Sequence, residues 1–244
     1  MRNICLILQY LGTNYCGFQR QKNGLSIQEV LEDVIFESIG EKCTTYPSGR
    51  TDAGVHALGQ VVNFFTNSSI QAEKFKIILN LKLPSDIRVI LSSEVPMEFH
   101  SRKSAKSKTY IYKIFNGESL SVFDVNRCLL CKYNLDLEKM NKGAKLIEGT
   151  HNFSSFVSSN TTTKTTVRTI YNACFKKEGN YITFEVNGNG FLYNMVRILV
   201  GTLIDVGRGK ITLKDFELLL EGGQRAKAGK TVKPDGLYLK NVCY

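Results

Sequence analysis

The hydrophobic positions of the first 95 residues follow two spacings. Four short runs are rich in β-branched and aromatic side chains and predict strands: 3–10, 43–48, 60–66 and 87–95. Residues 27–39 instead repeat apolar side chains every three or four positions. Ser26 precedes them and Glu29 completes a capping box, so they predict a helix that ends at Gly40. A second helix is predicted over residues 71–83, and a loop lies over 49–59.

The resulting order is β-α-β-β-α-β, the split βαβ or ferredoxin-like unit. The second half predicts further strands at 110–115, 127–133, 169–176, 181–186 and 237–242, and helices at 137–147, 191–206 and 213–220. We therefore predict an α+β fold of two ferredoxin-like halves. Each would have a mixed or antiparallel sheet with helices packed on one face, in domains 1–100 and 101–244. RNA-recognition modules use this architecture, although a fold does not define a function.

Composition narrows the class of protein. Hydrophobic residues are 43% and charged residues 22%, which excludes disorder as the main state, and the formal net charge is +10. That charge favours a polyanionic partner, either nucleic acid or an anionic membrane face. The longest later apolar segment, 191–206, contains Asn194, Arg197 and Asp205, so it predicts a core helix and not a membrane span. With no export signal at the N-terminus, a soluble cytoplasmic protein is expected.

The cysteines and histidines indicate neither a disulfide framework nor a metal centre. Seven cysteines are scattered, mostly within apolar runs, as is typical of buried thiols in a reducing compartment. Cys128 and Cys131 form a single CxxC, but the three histidines are dispersed. We predict two strand thiols there and no metal site.

The stretch of residues 48–57 carries the strongest chemical signal. It places Asp52 between Gly49 and Gly54, with Arg50 and His56 close by. A glycine-rich loop between two strands commonly presents reactive side chains. The alternative is an ordinary β-turn with Asp52 as an Asx cap.

Two further stretches combine polar and apolar side chains. In residues 106–113 basic side chains alternate with aromatic ones, and a period of two places Tyr110 and Tyr112 on one face. They could stack on unpaired bases, or simply fill a half-buried sheet.

Residues 188–197 form a glycine-rich turn before an apolar helix, but Tyr193 breaks the dinucleotide-binding pattern. A buried Arg197 would need an anion: a structural carboxylate, a substrate phosphate or a catalytic carboxylate.

Together these stretches resemble the tRNA pseudouridine synthase A family. The family's loop SGRTDAGVHA is reproduced in full at 48–57. Four more motifs occur in the family's order: Gly17-Phe18-Gln19, Phe99-His100-Ser101-Arg102 with Lys108-Thr109-Tyr110-Ile111-Tyr112, Gly188 to Arg197, and Ala228 to Leu239. The chain departs from the family pattern at Phe18, Ser101, Lys230, Val232 and Lys233, none of which is a catalytic position.

The resemblance implies a function and a set of roles. It implies isomerisation of uridine to pseudouridine at nucleotide positions 38–40 of the tRNA anticodon arm, by a homodimer with a basic RNA-binding cleft and without metal or cofactor. Asp52 would be the nucleophile and Arg197 its ion-pair partner, and Tyr110 would stack on the target uracil and could remove the C5 proton. Arg50 would help to hold the nucleotide flipped out. Leu192 and Met195 would line the pocket or belong to the plain helix core. A paralogue acting on ribosomal RNA and a non-catalytic RNA-binding module are the alternatives.

Overall fold

The computed structural model describes residues 1–158 and 165–244. The chain divides into two compact units: Met1–Lys106 with Tyr238–Tyr244, and Ser107–Leu237. Its strands are β1 Arg2–Tyr10, β2 Tyr46–Pro47, β3 His56–Thr66, β4 Ile87–Val95, β5 Ser107–Asn116, β6 Leu129–Cys131, β7 Gly149–Asn152, β8 Val167–Glu178, β9 Tyr181–Gly188 and β10 Leu237–Cys243. Its α-helices are α1 Ile27–Ile39, α2 Phe75–Asn80, α3 Leu137–Leu146, α4 Met195–Gly207 and α5 Leu213–Leu220.

The sheet of the first unit has the strand order of a split βαβ fold. β1 lies between β4 and β3 and is antiparallel to both, and the short β2 pairs antiparallel with β3. Near the start of β3, β10 pairs with it in parallel, with Tyr238 opposite His56. The predicted α+β class is confirmed.

Helix α1 has the bounds that the sequence predicts. The Ser26 hydroxyl accepts a hydrogen bond from the backbone N–H of Glu29, so this N-cap is present. At the other end Gly40 adopts a left-handed conformation with φ of 74°, which ends the helix. The buried face of α1 carries Ile27, Leu31, Val34 and Ile35.

Several predicted segments of the first unit are wrong in length. The strand expected over 43–48 is only the two-residue β2. The helix expected over 71–83 is a 3₁₀ turn followed by the six-residue α2. It ends at Asn80, whose side-chain amide exchanges two 2.8 Å hydrogen bonds with the backbone of Val89 at the edge of β4. The loop expected over 49–59 is shorter, because β3 already begins at His56, opposite Tyr238 and beside the Ala57–Tyr10 pair.

The second unit contains an antiparallel sheet in the order β5-β9-β8-β7, with β6 parallel to β5. Helix α3 packs on β8 and α4, and α4 is buried over almost its whole length. α4 begins at Met195 and not at residue 191, because Asn194 has a left-handed φ of 60° and the chain turns there. Cys128 and Cys131 are buried free thiols, but only Cys131 lies in a strand, because β6 begins at Leu129. Within the described ranges, no helix combines the length and apolar character that a membrane crossing requires.

Candidate active site

The loop of residues 48–55 joins β2 to β3 and alternates buried with accessible side chains. Ser48, Thr51 and Val55 are buried, at 0%, 6% and 2% exposure. Arg50 is exposed, and Asp52 is partly exposed. The buried side chains fix the loop to the unit while the guanidinium and the carboxylate reach its surface.

A buried polar network lies beneath this loop. Ser48 Oγ donates to Gln60 Oε1 at 2.6 Å, and Gln60 Nε2 donates to the Gly49 carbonyl at 2.8 Å. The hydroxyls of Tyr10 and Thr51 share a 2.7 Å hydrogen bond. Burial raises the pKa of Tyr10 to about 12, so its hydroxyl stays protonated at neutral pH.

A second segment, residues 12–17, packs so closely on the loop that main-chain atoms of the two segments are in contact. A Cβ on Gly12 would sit 2.0 Å from the Val55 carbonyl oxygen, and the Gly12 N–H donates to His56 Nδ1 at 2.9 Å. Gly17 has a φ of 112° and forms a bridge with Asp52. Only glycine permits this approach, so these positions hold the backbone on either side of Asp52.

Tyr110 lies on β5 opposite Val186, and its side chain is 8% exposed. Its ring meets Phe191 edge to face, with centroids 5.0 Å apart and planes at 78°. Its neighbour Tyr112 is fully buried and donates to the Lys233 carbonyl at 2.6 Å. Of the two interpretations of this strand, Tyr112 therefore fits the one in which the tyrosine fills the sheet, because its hydroxyl is hydrogen-bonded within the unit.

Arg197 lies near the start of α4, and two neutral acceptors orient its guanidinium. Nε donates to the Val232 carbonyl at 2.8 Å, and Nη1 donates to Asn194 Oδ1 at 2.7 Å. The left-handed Asn194 therefore has two effects: it starts α4 and it directs the arginine. Leu192 is 6% exposed and Met195 is fully buried.

The C-terminal departures from the family pattern contribute main-chain groups here. The carbonyls of Val232 and Lys233 accept from Arg197 and Tyr112, and the Lys230 carbonyl lies against Gly201. Carbonyl groups are common to all residue types, so these side-chain replacements preserve the contacts.

The predicted site residues divide between the two units. Arg50 and Asp52 belong to the first unit, and Tyr110, Leu192, Met195 and Arg197 to the second. Reasoning from residue types alone missed Gln60, and it named His56 without finding that its Nδ1 accepts a hydrogen bond from the Gly12 N–H. Among residues 1–158 and 165–244, no group of three or more His, Cys, Asp or Glu side chains is placed to hold a metal ion.

A split βαβ sheet that carries a glycine-rich loop with a partly exposed carboxylate defines an α+β protein with a candidate active site on that loop. The sequence profile described as tRNA pseudouridine synthase matches residues 6–102 and 144–244, so the chain belongs to that family. Proteins named tRNA pseudouridine synthase A from Acetivibrio thermocellus and Clostridium acetobutylicum are each 46% identical to this chain, over the full length of both sequences.

A solved Cbf5–Nop10–Gar1 complex shares 12% identity, with a TM-score of 0.34 over 82% of this chain and 45% of that one.

Proposed function

We propose that this protein isomerises uridine to pseudouridine in tRNA, at nucleotide positions 38–40 of the anticodon arm. The supporting observation is the family membership together with the loop of residues 48–57, which keeps the complete family motif on a buried polar network. A non-catalytic RNA-binding module would not need a partly exposed carboxylate held in this way.

The reaction requires no redox step. The N1–C1′ bond breaks and uracil leaves as a delocalised anion. The base then rotates, C5 bonds to C1′, the proton on C5 is lost and N1 gains a proton. Asp52 attacks C1′ or stabilises its positive charge, as carboxylates do in glycoside chemistry. Neither a metal nor a small-molecule cofactor is needed for these steps.

Arg197 is proposed as the ion-pair partner of Asp52. A carboxylate in a site that excludes water needs a cation to remain ionised. The guanidinium is suited to this role because Val232 and Asn194 fix two of its nitrogens, so neutral partners hold its planar fork in one orientation.

Three further roles concern the uridine. A base in a helix must be extruded, at a cost of a few kcal/mol, before a pocket can reach it. Arg50, exposed beside Asp52, helps to hold the flipped nucleotide. Tyr110 stacks on the uracil and its hydroxyl serves in removing the C5 proton. Leu192 and Met195 line the pocket, although the complete burial of Met195 equally fits a core position.

The assembly is proposed to be a cytoplasmic homodimer with a basic RNA-binding cleft. The net charge of +10 supports a polyanionic partner. Size-exclusion chromatography with light scattering tests the dimer, and a monomeric mass at assay concentration would contradict it.

The deciding experiment measures pseudouridine in tRNA transcripts by carbodiimide modification and primer extension. Asp52→Asn should still bind tRNA but form no pseudouridine, because the nucleophilic charge is lost. Asp33→Asn removes an exposed carboxylate, 66% accessible on α1, and should keep full activity. Multiple turnover by Asp52→Asn would refute the assignment of Asp52 as the nucleophile. Modification of ribosomal RNA instead of tRNA would favour the paralogue.

Variants of Arg197 test the proposed ion pair between Asp52 and Arg197. Arg197→Lys should be impaired and Arg197→Ala more so, with the pH–rate profile of Arg197→Ala moved to higher pH. Arg208→Lys, on the C-terminal cap of the same helix, is the matched control. An unmoved profile in Arg197→Ala would refute the pairing.

Tyr110→Phe keeps the ring and should retain most tRNA binding while losing turnover. Near-normal turnover in this variant would remove its acid–base role.

A further inference from the structure

Gln60 is a buried amide to which the reaction assigns no role. It lies on β3 with 0% exposure, and Leu8 of β1 is its backbone partner. Its carbonyl oxygen accepts from Ser48 Oγ at 2.6 Å, and its NH₂ group donates to the Gly49 carbonyl at 2.8 Å. Both ends of one side chain therefore bind the two residues that precede Arg50.

A second anchor lies on the far side of Arg50. The Tyr10 hydroxyl bonds to Thr51 Oγ1 at 2.7 Å, one residue before Asp52. Gln60 Nε2 approaches the same Tyr10 oxygen at 3.5 Å, a long contact that links the two anchors. The loop is thus held at residues 48, 49 and 51.

From this arrangement we infer that Gln60 is a positioning residue, which fixes the loop so that Asp52 is presented in one orientation. The inference rests on the proposed function, because it assumes that Asp52 reacts. A reacting group displaced by about 1 Å can lose on the order of 10²-fold in rate. Gln60 holds the loop without touching substrate, so its loss should lower kcat and leave tRNA binding intact.

Asn63 provides a matched control within the same strand. It is also a buried amide, at 1% exposure, and also makes two short hydrogen bonds. Its oxygen accepts from the Ser101 N–H at 2.9 Å and its nitrogen donates to Asn3 Oδ1 at 3.0 Å. None of these partners lies in residues 48–55. A purely structural amide should behave like Asn63.

The test compares Gln60→Met with Asn63→Leu. In each variant an apolar side chain replaces an amide of similar size. Thermal unfolding, tRNA affinity, KM and kcat are measured for both on the same tRNA transcript. Both should lower Tm, since each leaves buried polar groups without their partner. Only Gln60→Met should lower kcat, by about 10- to 100-fold per folded molecule, with KM unchanged.

Two outcomes would overturn the inference while the wild type forms pseudouridine. One is a kcat of Gln60→Met equal to that of Asn63→Leu; the other is a rise in KM without a fall in kcat. If Gln60→Met does not fold, Tyr10→Phe removes the hydrogen bond to Thr51 and the long contact with Gln60 Nε2, and it must lower kcat in the same way. A wild type that forms no pseudouridine would instead refute the proposed function.

Discussion

Gly12→Ala should show whether the close packing of residue 12 on Val55 positions the loop of residues 48–55, which carries Asp52. A Cβ at this position would lie 2.0 Å from the Val55 carbonyl oxygen and 2.6 Å from its carbon. Real Cβ contacts essentially never fall below 3.0 Å, so the two segments must move apart by at least 1.0 Å, the difference between these distances. The obstacle is backbone, so no side-chain rotation can relieve it.

The movement has two expected consequences. Overpacking of this kind costs about 1–3 kcal/mol of unfolding free energy. The Gly12 N–H also moves relative to His56 Nδ1, its acceptor at 2.9 Å. If loop 48–55 follows the displacement, Asp52 leaves its reactive position, and a displacement near 1 Å lowers the rate on the order of 10²-fold.

The assay follows tritium released from C5 of uridine in labelled tRNA, under single-turnover conditions with excess enzyme. Gly40→Ala is the control, because Gly40 has a φ of 74° with no atom within 4 Å of an added Cβ. Alanine in that conformation costs about 1–2 kcal/mol but displaces nothing near Asp52. If the two variants release tritium at equal rates per folded molecule, the 12–17 segment does not position the loop.

Three further predictions concern binding, metal and alkaline stability. tRNA affinity should fall steeply with salt, since Lys103, Lys106, Lys108 and Lys113 around the Tyr110 strand would displace counterions, and affinity that stays flat in filter binding would contradict this. Exhaustive EDTA treatment should leave activity on pre-folded tRNA unchanged, and loss restored by a divalent ion would count against it. The stabilising contribution of Tyr10 is complete below pH 10 and is lost as pH rises through about 12, because the folded pKa lies above the ordinary value of 10.0. Wild type should therefore lose up to about 3 kcal/mol more than Tyr10→Phe over that window in urea unfolding, and equal losses would refute the burial argument.

Elements with local determinants could be predicted from the sequence. The bounds of α1 follow from Ser26, Glu29 and Gly40, all within or next to the helix itself. β4 is likewise predicted in full, from its β-branched run. Elements that end through distant contacts could not be predicted. The first residues of β3 pair with Tyr238, which is far along the chain, and α2 ends where Asn80 binds the backbone of Val89.

In each unit, an asparagine on a helix binds the backbone of a strand through its side-chain amide. Asn141 of α3 exchanges hydrogen bonds of 2.8 and 3.1 Å with the backbone of Phe175 on β8, as Asn80 does with Val89 on β4. An amide side chain can replace a neighbouring strand at a sheet edge, because it offers one donor and one acceptor. β4 is an edge strand, and Phe175 lies beyond the four residues of β8 that pair with β7, so both positions are open on one side. Open strand edges invite pairing with other chains, so each helix protects a strand of its own unit. Nothing in the pattern around either asparagine distinguishes it from a surface residue.

The same limit applies to the candidate site. Asp52 could be proposed as the reactive residue because it stands in the family's loop motif, and the resemblance favours that role over the Asx turn that residue types alone left open. The contacts beneath its loop could not be predicted in this way, because they involve main-chain atoms: Gln60 donates to the Gly49 carbonyl, and His56 Nδ1 accepts from the Gly12 N–H. A main-chain group is the same in every residue type, so its partner leaves no complementary signal in the sequence. Reactive groups can therefore be inferred from a sequence, whereas the atoms that hold them in place require coordinates.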